Sequence, residues 1–434
     1  MGRNVADLLE HALDGVHLEM LRLLALQASF LGMPMYLVGG VVRDILLGRA
    51  VSDFDLVVEG NSAELAEQIL KEYGGRTLTH AKFGTATWVL NKATLSRLSF
   101  PSFQIPAHSL SFDLVSARSE TYERPGALPT ITFSDIRDDL HRRDFTINAM
   151  ALRLDGARFG ELVDPLLGEA DLGAGLVRTL HDRSFVDDPT RIFRAARYAA
   201  RYNFRLAPAT QALINAESFS VLTQLSGERI RHEFDLIFEE QNAPAMLELL
   251  KVWGVLAALH PALPTAAARS LAALTDAPAE AFGDFPVPDM LSFRQTLGWT
   301  LYLLNLLQPE IDALAKRLAF PTLLTKSAQG AAALNRDLTA SAPGRKPSQW
   351  TALLDVIPPL AVYAVYQVTT HPALHTYLTA WRAVRPYTTG YTLQKRGLEP
   401  SPKFREILTR LRNAWLDGEV ESEEEEVKLL ERIV

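Results

Sequence analysis

Two aspartates one residue apart, Asp53 and Asp55, follow closely on a run in which Tyr36–Val38 leads into Gly39, Gly40 and Arg43. Successive side chains on a strand point to opposite faces, so Asp53 and Asp55 are expected on one face. Paired carboxylates of this kind clamp hard cations such as Mg²⁺, which takes oxygen ligands and substrate phosphates. Gly39 and Gly40 end a strand and open a helix, where unpaired N–H donors receive an anion. Arg43, about one turn in, adds a charge-assisted contact to phosphate. A bare Asp-x-Asp is most often a solvated strand edge, and a glycine pair with an arginine is most often a tight turn. Together they describe a site for a metal-bound nucleoside triphosphate.

The elements that must position these residues are mixed. Leu9, Ala12, Leu13, Val16, Met20, Leu23 and Leu24 recur near the helical period and predict a helix over 5–30. A strand is predicted at Met35–Val38, a helix from Val41 to Leu47 stopped by Gly48, and a strand at Asp53–Val58. An Asn61-capped helix to Tyr73 follows, then strands at 85–90, 95–99 and 110–116. Asp113 on the last of these is a candidate third carboxylate. From about residue 181 strand signals nearly vanish. Helices are predicted at 184–203, 208–217, 227–240, 404–415 and 421–433, with Pro208 in a first turn. The expected fold class is α+β, a mixed head over 1–150 followed by helical segments over 151–245, 246–380 and 381–434.

Composition narrows the function classes. The 434-residue chain has no cysteine, which excludes disulfides, thiolate metal sites and a thiol nucleophile. No apolar run approaches the ~18 residues of a membrane span, and the first residues lack a signal-peptide core, so a cytoplasmic protein with no membrane partner is expected. The histidines show no zinc-ligand spacing. A net charge of −7 argues against a generally basic nucleic-acid binder, yet residues 181–205 carry six arginines against three aspartates. A local basic stripe survives the acidic average.

Four further segments follow the Gly39…Asp55 element in order: Arg142-Arg143-Asp144-Phe145-Thr146-Ile147-Asn148-Ala149, Asp164-Pro165-Leu166-Leu167-Gly168, Asp187–Arg197 and Glu228–Glu233. The series resembles motifs A to E of class II tRNA nucleotidyltransferases, the CCA-adding enzymes, and of the related bacterial poly(A) polymerases. The resemblance implies a polymerase-β-like nucleotidyltransferase head and an all-α neck, body and tail. It implies Mg²⁺ on Asp53 and Asp55, phosphates at Gly39, Gly40 and Arg43, and Arg143, Asp144 and Asn148 near the ribose. Asp188 and Arg191 would read the base edge. Three apart on one predicted helix, they would share a face. Arg194 and Arg197 would contact the triphosphate or the RNA 3′ end, while Glu228, Arg229 and Glu233 would support the template helix. Asp187 stands where the family usually has glutamate.

The implied activity is template-free addition of C and A from CTP and ATP to the 3′ end of tRNA, the helical half gripping its acceptor and T arms. Ser119–Pro129 resembles the loop that CC-only members lack, which favours complete CCA or A-only addition over CC-only. Poly(A) polymerase is disfavoured by Met150-Ala151-Leu152 after motif B and by the acidic tail. A non-catalytic RNA-binding protein of this fold is disfavoured by the presence of both Asp53 and Asp55.

Overall fold

The computed structural model describes residues 3–51, 54–80, 84–91, 94–95, 110–121, 130–274, 282–340 and 344–434. The chain divides into two compact units, Met1–Gln224 and Leu225–Val434. The four-part division read from the sequence is finer than this.

The first unit is built on a mixed sheet. Its strands are β1 (Met35–Val38), β2 (Asp55–Val58), β3 (Arg76–His80), β4 (Thr85–Leu90), β5 (Leu110–Ser116), β8 (Ala151–Arg153) and β9 (Leu162–Val163), in the order β3-β4-β5-β2-β1-β8-β9. β6 (Arg118–Thr121) and β7 (Thr130–Phe133) form a separate antiparallel hairpin. β1 is buried along its whole length and lies between β2 and β8, antiparallel to both. That position explains its unbroken apolar run. β5 alternates instead, burying Leu110, Phe112 and Leu114 and exposing Ser111 and Asp113. β2 and β5 are parallel, with Asp55 aligned to Asp113.

Where prediction and structure differ, local chemistry explains it. The helix expected over 5–30 is two helices, Ala6–Ala12 and Gly15–Phe30, because Asp14 caps the second by accepting from the His17 backbone N–H. The helix expected over 208–217 breaks after Ala212, where the Asn215 side chain accepts from the backbones of Glu217 and Ser218 and starts Ala216–Gln224. The expected strand at 95–99 lies outside the described residues except for Leu95, which has helical backbone. Of Ser119–Pro129, residues 122–129 lie outside them as well.

The second unit is helical throughout its described residues. Gly227–Phe238 and Phe293–Tyr302 pack through Phe234, Phe238, Trp299 and Tyr302, with the Trp299 ring 5.1 Å from each phenylalanine ring. Pro402–Leu416 and Glu423–Ile433 enclose a smaller cluster of Leu411, Ala414, Leu429 and Leu430. Among the described residues no single helix is long and apolar enough to cross a membrane. The bent pair Pro347–Leu354 and Pro359–Thr369 passes by length and composition, but Leu360–Val365 are buried in this unit's own core.

Candidate active site

The turn after β1 is shaped for close approach. Gly39 has φ +75°, where L side chains are strained, and a Cβ added there would lie 2.6 Å from Nη1 of Arg143. Its N–H donates to the Met150 carbonyl at 3.1 Å, tying the turn to the approach to β8. The helix that follows, Gly40–Leu46, has seven residues, and the guanidiniums of Arg43 and Arg143 lie beside its start.

Arg143 is the guanidinium against that turn. Its Nη2 donates to Asp139 Oδ2 at 2.9 Å, and among the described residues its buried Nε has no acceptor. An unmet buried donor is costly unless a ligand supplies the acceptor. Asp139, fully buried, also accepts from Arg142 Nε at 3.0 Å and Nη2 at 2.8 Å. Sequence reasoning passed over Asp139. Its signal was the spacing, three and four residues before two arginines on one helix end.

Arg43 does not project toward solvent. It is 3% exposed, with Nε and Nη2 on Asp44, Nη1 on Asn148 Oδ1, and the rings of Tyr202 and Tyr198 at 4.5 and 5.2 Å. Asn148 passes the connection on, donating from Nδ2 to Asp144 Oδ1 at 3.0 Å. Asp144 in turn accepts from Arg194 Nε at 2.7 Å. Burial disfavours the Asp144 charge, but Arg194, Asn148 and Arg191 outweigh it and hold its carboxyl below the ordinary range.

The Asp164–Gly168 segment braces this region. Asp164 accepts from the N–H groups of Gly168 and Glu169 at 2.7 and 3.0 Å, starting the helix Gly168–Gly173. That helix carries Asp171, which accepts from Thr146 Oγ1 at 2.7 Å and Arg178 Nε at 2.8 Å. Thr146–Asn148, a 3₁₀ turn, is thereby held in place.

The expectation that Asp188 and Arg191 share a helix face is not met. The predicted helix 184–203 is Ser184–Asp187 and Arg191–Tyr202, interrupted around Pro189, and Asp188 has extended backbone. Proline disfavours helical backbone in the residue before it, which breaks the helix there. Asp188 Oδ1 accepts from Thr190 N–H and Oγ1 at 3.1 and 2.7 Å. Arg191 is buried, donating to Ser184 Oγ at 2.8 Å and to the Arg142 carbonyl at 3.2 Å. Ser184 carried no motif signal. Arg197 lies half-buried further along the helix.

Asp55 opens β2 as an exposed residue, and Asp113 is exposed beside it. Aligned residues of neighbouring strands point to one face. Asp113 Oδ1 accepts from Thr87 Oγ1 at 2.6 Å, which fixes its orientation. Asp53 lies outside the described residues. Two carboxylates at one register suit a hard, oxygen-seeking divalent cation, although the described residues hold no group of three or more metal-ligating side chains.

Comparison with known proteins matches both the sequence and the fold. The Poly A polymerase head domain matches residues 35–178, and the probable RNA and SrmB-binding site of polymerase A matches residues 203–266. The chain is 35% identical to the A-adding tRNA nucleotidyltransferase of Halalkalibacterium halodurans, covering 97% of this chain and 94% of that one. It is 32% identical to the A-adding tRNA nucleotidyltransferase of Geobacter sulfurreducens, covering 99% of this chain but spanning only 48% of that longer relative. An apo CCA-adding enzyme superposes with TM-score 0.80 at 30% identity, covering 100% of this chain and 99% of that one. The Thermotoga maritima CCA-adding enzyme complexed with tRNA superposes with TM-score 0.71 at 27% identity, covering 99% and 98%.

Proposed function

This chain belongs to the class II CCA-adding tRNA nucleotidyltransferase and poly(A) polymerase superfamily, and from that premise we propose that it adds CCA to the tRNA 3′ end from CTP and ATP. One observation carries the reading. Hydrogen bonds run unbroken from Arg43 beside the glycine turn through Asn148 and Asp144 to Arg194 on the helix that follows Asp188. That continuity supports reading the phosphate side and the base side as parts of one nucleotide site.

In the reaction the 3′-hydroxyl oxygen of the RNA bonds to the α-phosphorus, and the bond from that phosphorus to the bridging oxygen breaks to release pyrophosphate. Asp55, with Asp113 and Asp53, would hold Mg²⁺, which when bound neutralises triphosphate charge and eases loss of the hydroxyl proton. Arg143, whose guanidinium lies against Gly39 and whose buried Nε has no acceptor among the described residues, would bind a phosphate oxygen. Asn148 and Asp144 face the ribose. Asp188 accepts from the exocyclic amino group of cytosine or adenine, and Arg191 exchanges its Ser184 contact for the ring nitrogen. Arg194 and Arg197 extend the positive field along the same helix. The head, neck, body and tail division stands as part of this proposal, with residues 381–434 gripping tRNA through salt-sensitive phosphate contacts. A cytoplasmic location goes with it, supported by the cysteine-free sequence.

A second reading, A addition only, is favoured by the 35% identity to an A-adding enzyme along nearly the whole of both chains. The deciding assay offers tRNA lacking CCA, and tRNA lacking only the final A, with Mg²⁺ and each labelled nucleotide. Completion of CCA on the first substrate supports the main reading. A incorporation confined to the second supports A-only addition. No incorporation on either overturns both, and uncontrolled A addition to unstructured RNA would indicate poly(A) synthesis.

A further inference from the structure

The helix that opens with Arg191 closes with Tyr202, a residue outside the chemistry assigned so far. Its hydroxyl donates to Asp44 Oδ1 at 2.9 Å, across 158 positions of sequence. Burial raises the Tyr202 phenol above its ordinary range, so it stays protonated and remains a donor at neutral pH. Asp44 spends the same carboxylate on Arg43, accepting from Nε at 3.1 Å and Nη2 at 2.8 Å. The Tyr202 ring also lies 4.5 Å from the guanidinium carbons of both Arg43 and Arg49.

Arg43 then reaches back to the same helix by the other route, through Asn148 and Asp144 to Arg194. The hydrogen bonds therefore close a circuit that leaves the helix at Tyr202 and re-enters it at Arg194. Those two residues are eight apart, roughly 12 Å along the axis. A rod held at two points that far apart can neither rotate nor slide freely against the Gly39–Gly40 turn. Arg191 lies at the start of that rod, one turn before Arg194.

We propose that Tyr202 is a positioning residue which, through Asp44 and Arg43, fixes the rotation of the base-reading helix relative to the phosphate-binding turn, and so sharpens the choice of nucleobase. The proposal rests on the nucleotidyltransferase reading above. Its substrate-level consequence is specific: loosening the circuit relaxes discrimination among nucleotides more than it weakens phosphate binding, because Arg143 and Gly39 are anchored separately by Asp139 and Met150.

Tyr202→Phe keeps the ring and removes the hydroxyl, and with it the bond to Asp44 and the contact with Arg201. With tRNA lacking its final A, the expected result is a fall of about tenfold in the preference for ATP over GTP, the scale of one hydrogen bond to a charged group, carried mainly by KM, with the thermal midpoint lowered by only a few degrees and the chain still folded. Asp44→Asn should lower the same preference, and the double variant should be no worse than Asp44→Asn alone. Equilibrium dialysis of ATP against GTP on the full chain gives the same comparison without tRNA. An inactive wild type would count against the transferase reading, while the dialysis ratio would still judge the circuit. Unchanged discrimination in Tyr202→Phe, or fully additive effects in the double variant, would overturn the proposal.

Discussion

In the first unit the buried charges Arg43, Asp139 and Asp144 answer other side chains, drawn from segments as much as 105 residues apart. In the second unit two buried charges, Arg294 and Glu426, answer backbone and indole groups, while Asp235 pairs with Arg231 as well as with the Trp299 indole. Arg294 donates to the carbonyls of Phe238 and Glu240 at 2.8 and 2.9 Å. Glu426 accepts from the N–H groups of Tyr387 and Thr388 and from Trp415 Nε1. A charge tied to backbone pins a loop and has one arrangement. A network of side chains can exchange partners with a ligand, which is what a nucleotide site requires. On the proposed function, the difference separates positions that set chemistry from positions that set stability.

The strongest way to break this contrast is at the carboxylates. Asp55→Ala should lower kcat/KM for nucleotide addition by at least about a thousandfold while leaving the unfolding transition in place. A variant retaining near-full activity would remove Asp55 from the site.

Asp139→Asn tests whether the first unit's buried charge serves the substrate. With Arg143 and Arg142 losing their shared partner, KM for nucleotide should rise by about ten- to a hundredfold, more than kcat falls. Equal loss in both parameters, matched by a drop in folded fraction, would make Asp139 purely structural.

Glu426→Ala provides the counterpart in the second unit. It should lower unfolding free energy by about 1–3 kcal/mol in denaturant titration, with nucleotide KM unchanged. A shift in KM without a stability loss would reverse the assignment of roles.

The smallest effect is one of sign. Asp144 and Asp235 are both buried, yet they titrate in opposite directions from the ordinary value of 3.8. Arg194, Asn148 and Arg191 hold Asp144 below it despite burial, so its contribution to stability is present above 3.8 and lost as pH falls through its lower folded value. Burial raises Asp235 above 3.8, and Trp299 and Arg231 only partly offset this. Its favourable contribution is present below 3.8 and lost as pH rises through the raised value. Asp144→Asn should therefore flatten the stability profile on the acid side of 3.8, and Asp235→Asn on the alkaline side. Matching slopes in pH-dependent unfolding would contradict the comparison.

Much of the site could be read in advance because its parts are local. A glycine pair after an apolar run, a capping turn at Gly60-Asn61-Ser62 and a short strand each depend on neighbours a few residues away, and the structure has the turn at Gly39, the helix from Ser62 to Tyr73 and the strand Leu110–Ser116 where the sequence predicts them. Asp188 and Arg191 do not share the one helix the sequence predicts over 184–203, because Pro189 forces extended backbone on the residue before it. Asp139, Ser184 and Tyr202 were invisible in their roles, since each acts through a partner brought near by folding.

The sequence by itself determined the mixed head, the helical remainder, the ordered motifs and hence the family, because residue type and short-range spacing are written along one dimension. Only the tertiary structure decided that Asp55 stands beside Asp113, that Arg43 is enclosed between tyrosines rather than offered to solvent, and that the helix Arg191–Tyr202 is tethered at two points. Those facts depend on strand register and on which buried donor meets which acceptor. Register follows from burying one apolar face, and most polar groups removed from water must find a partner.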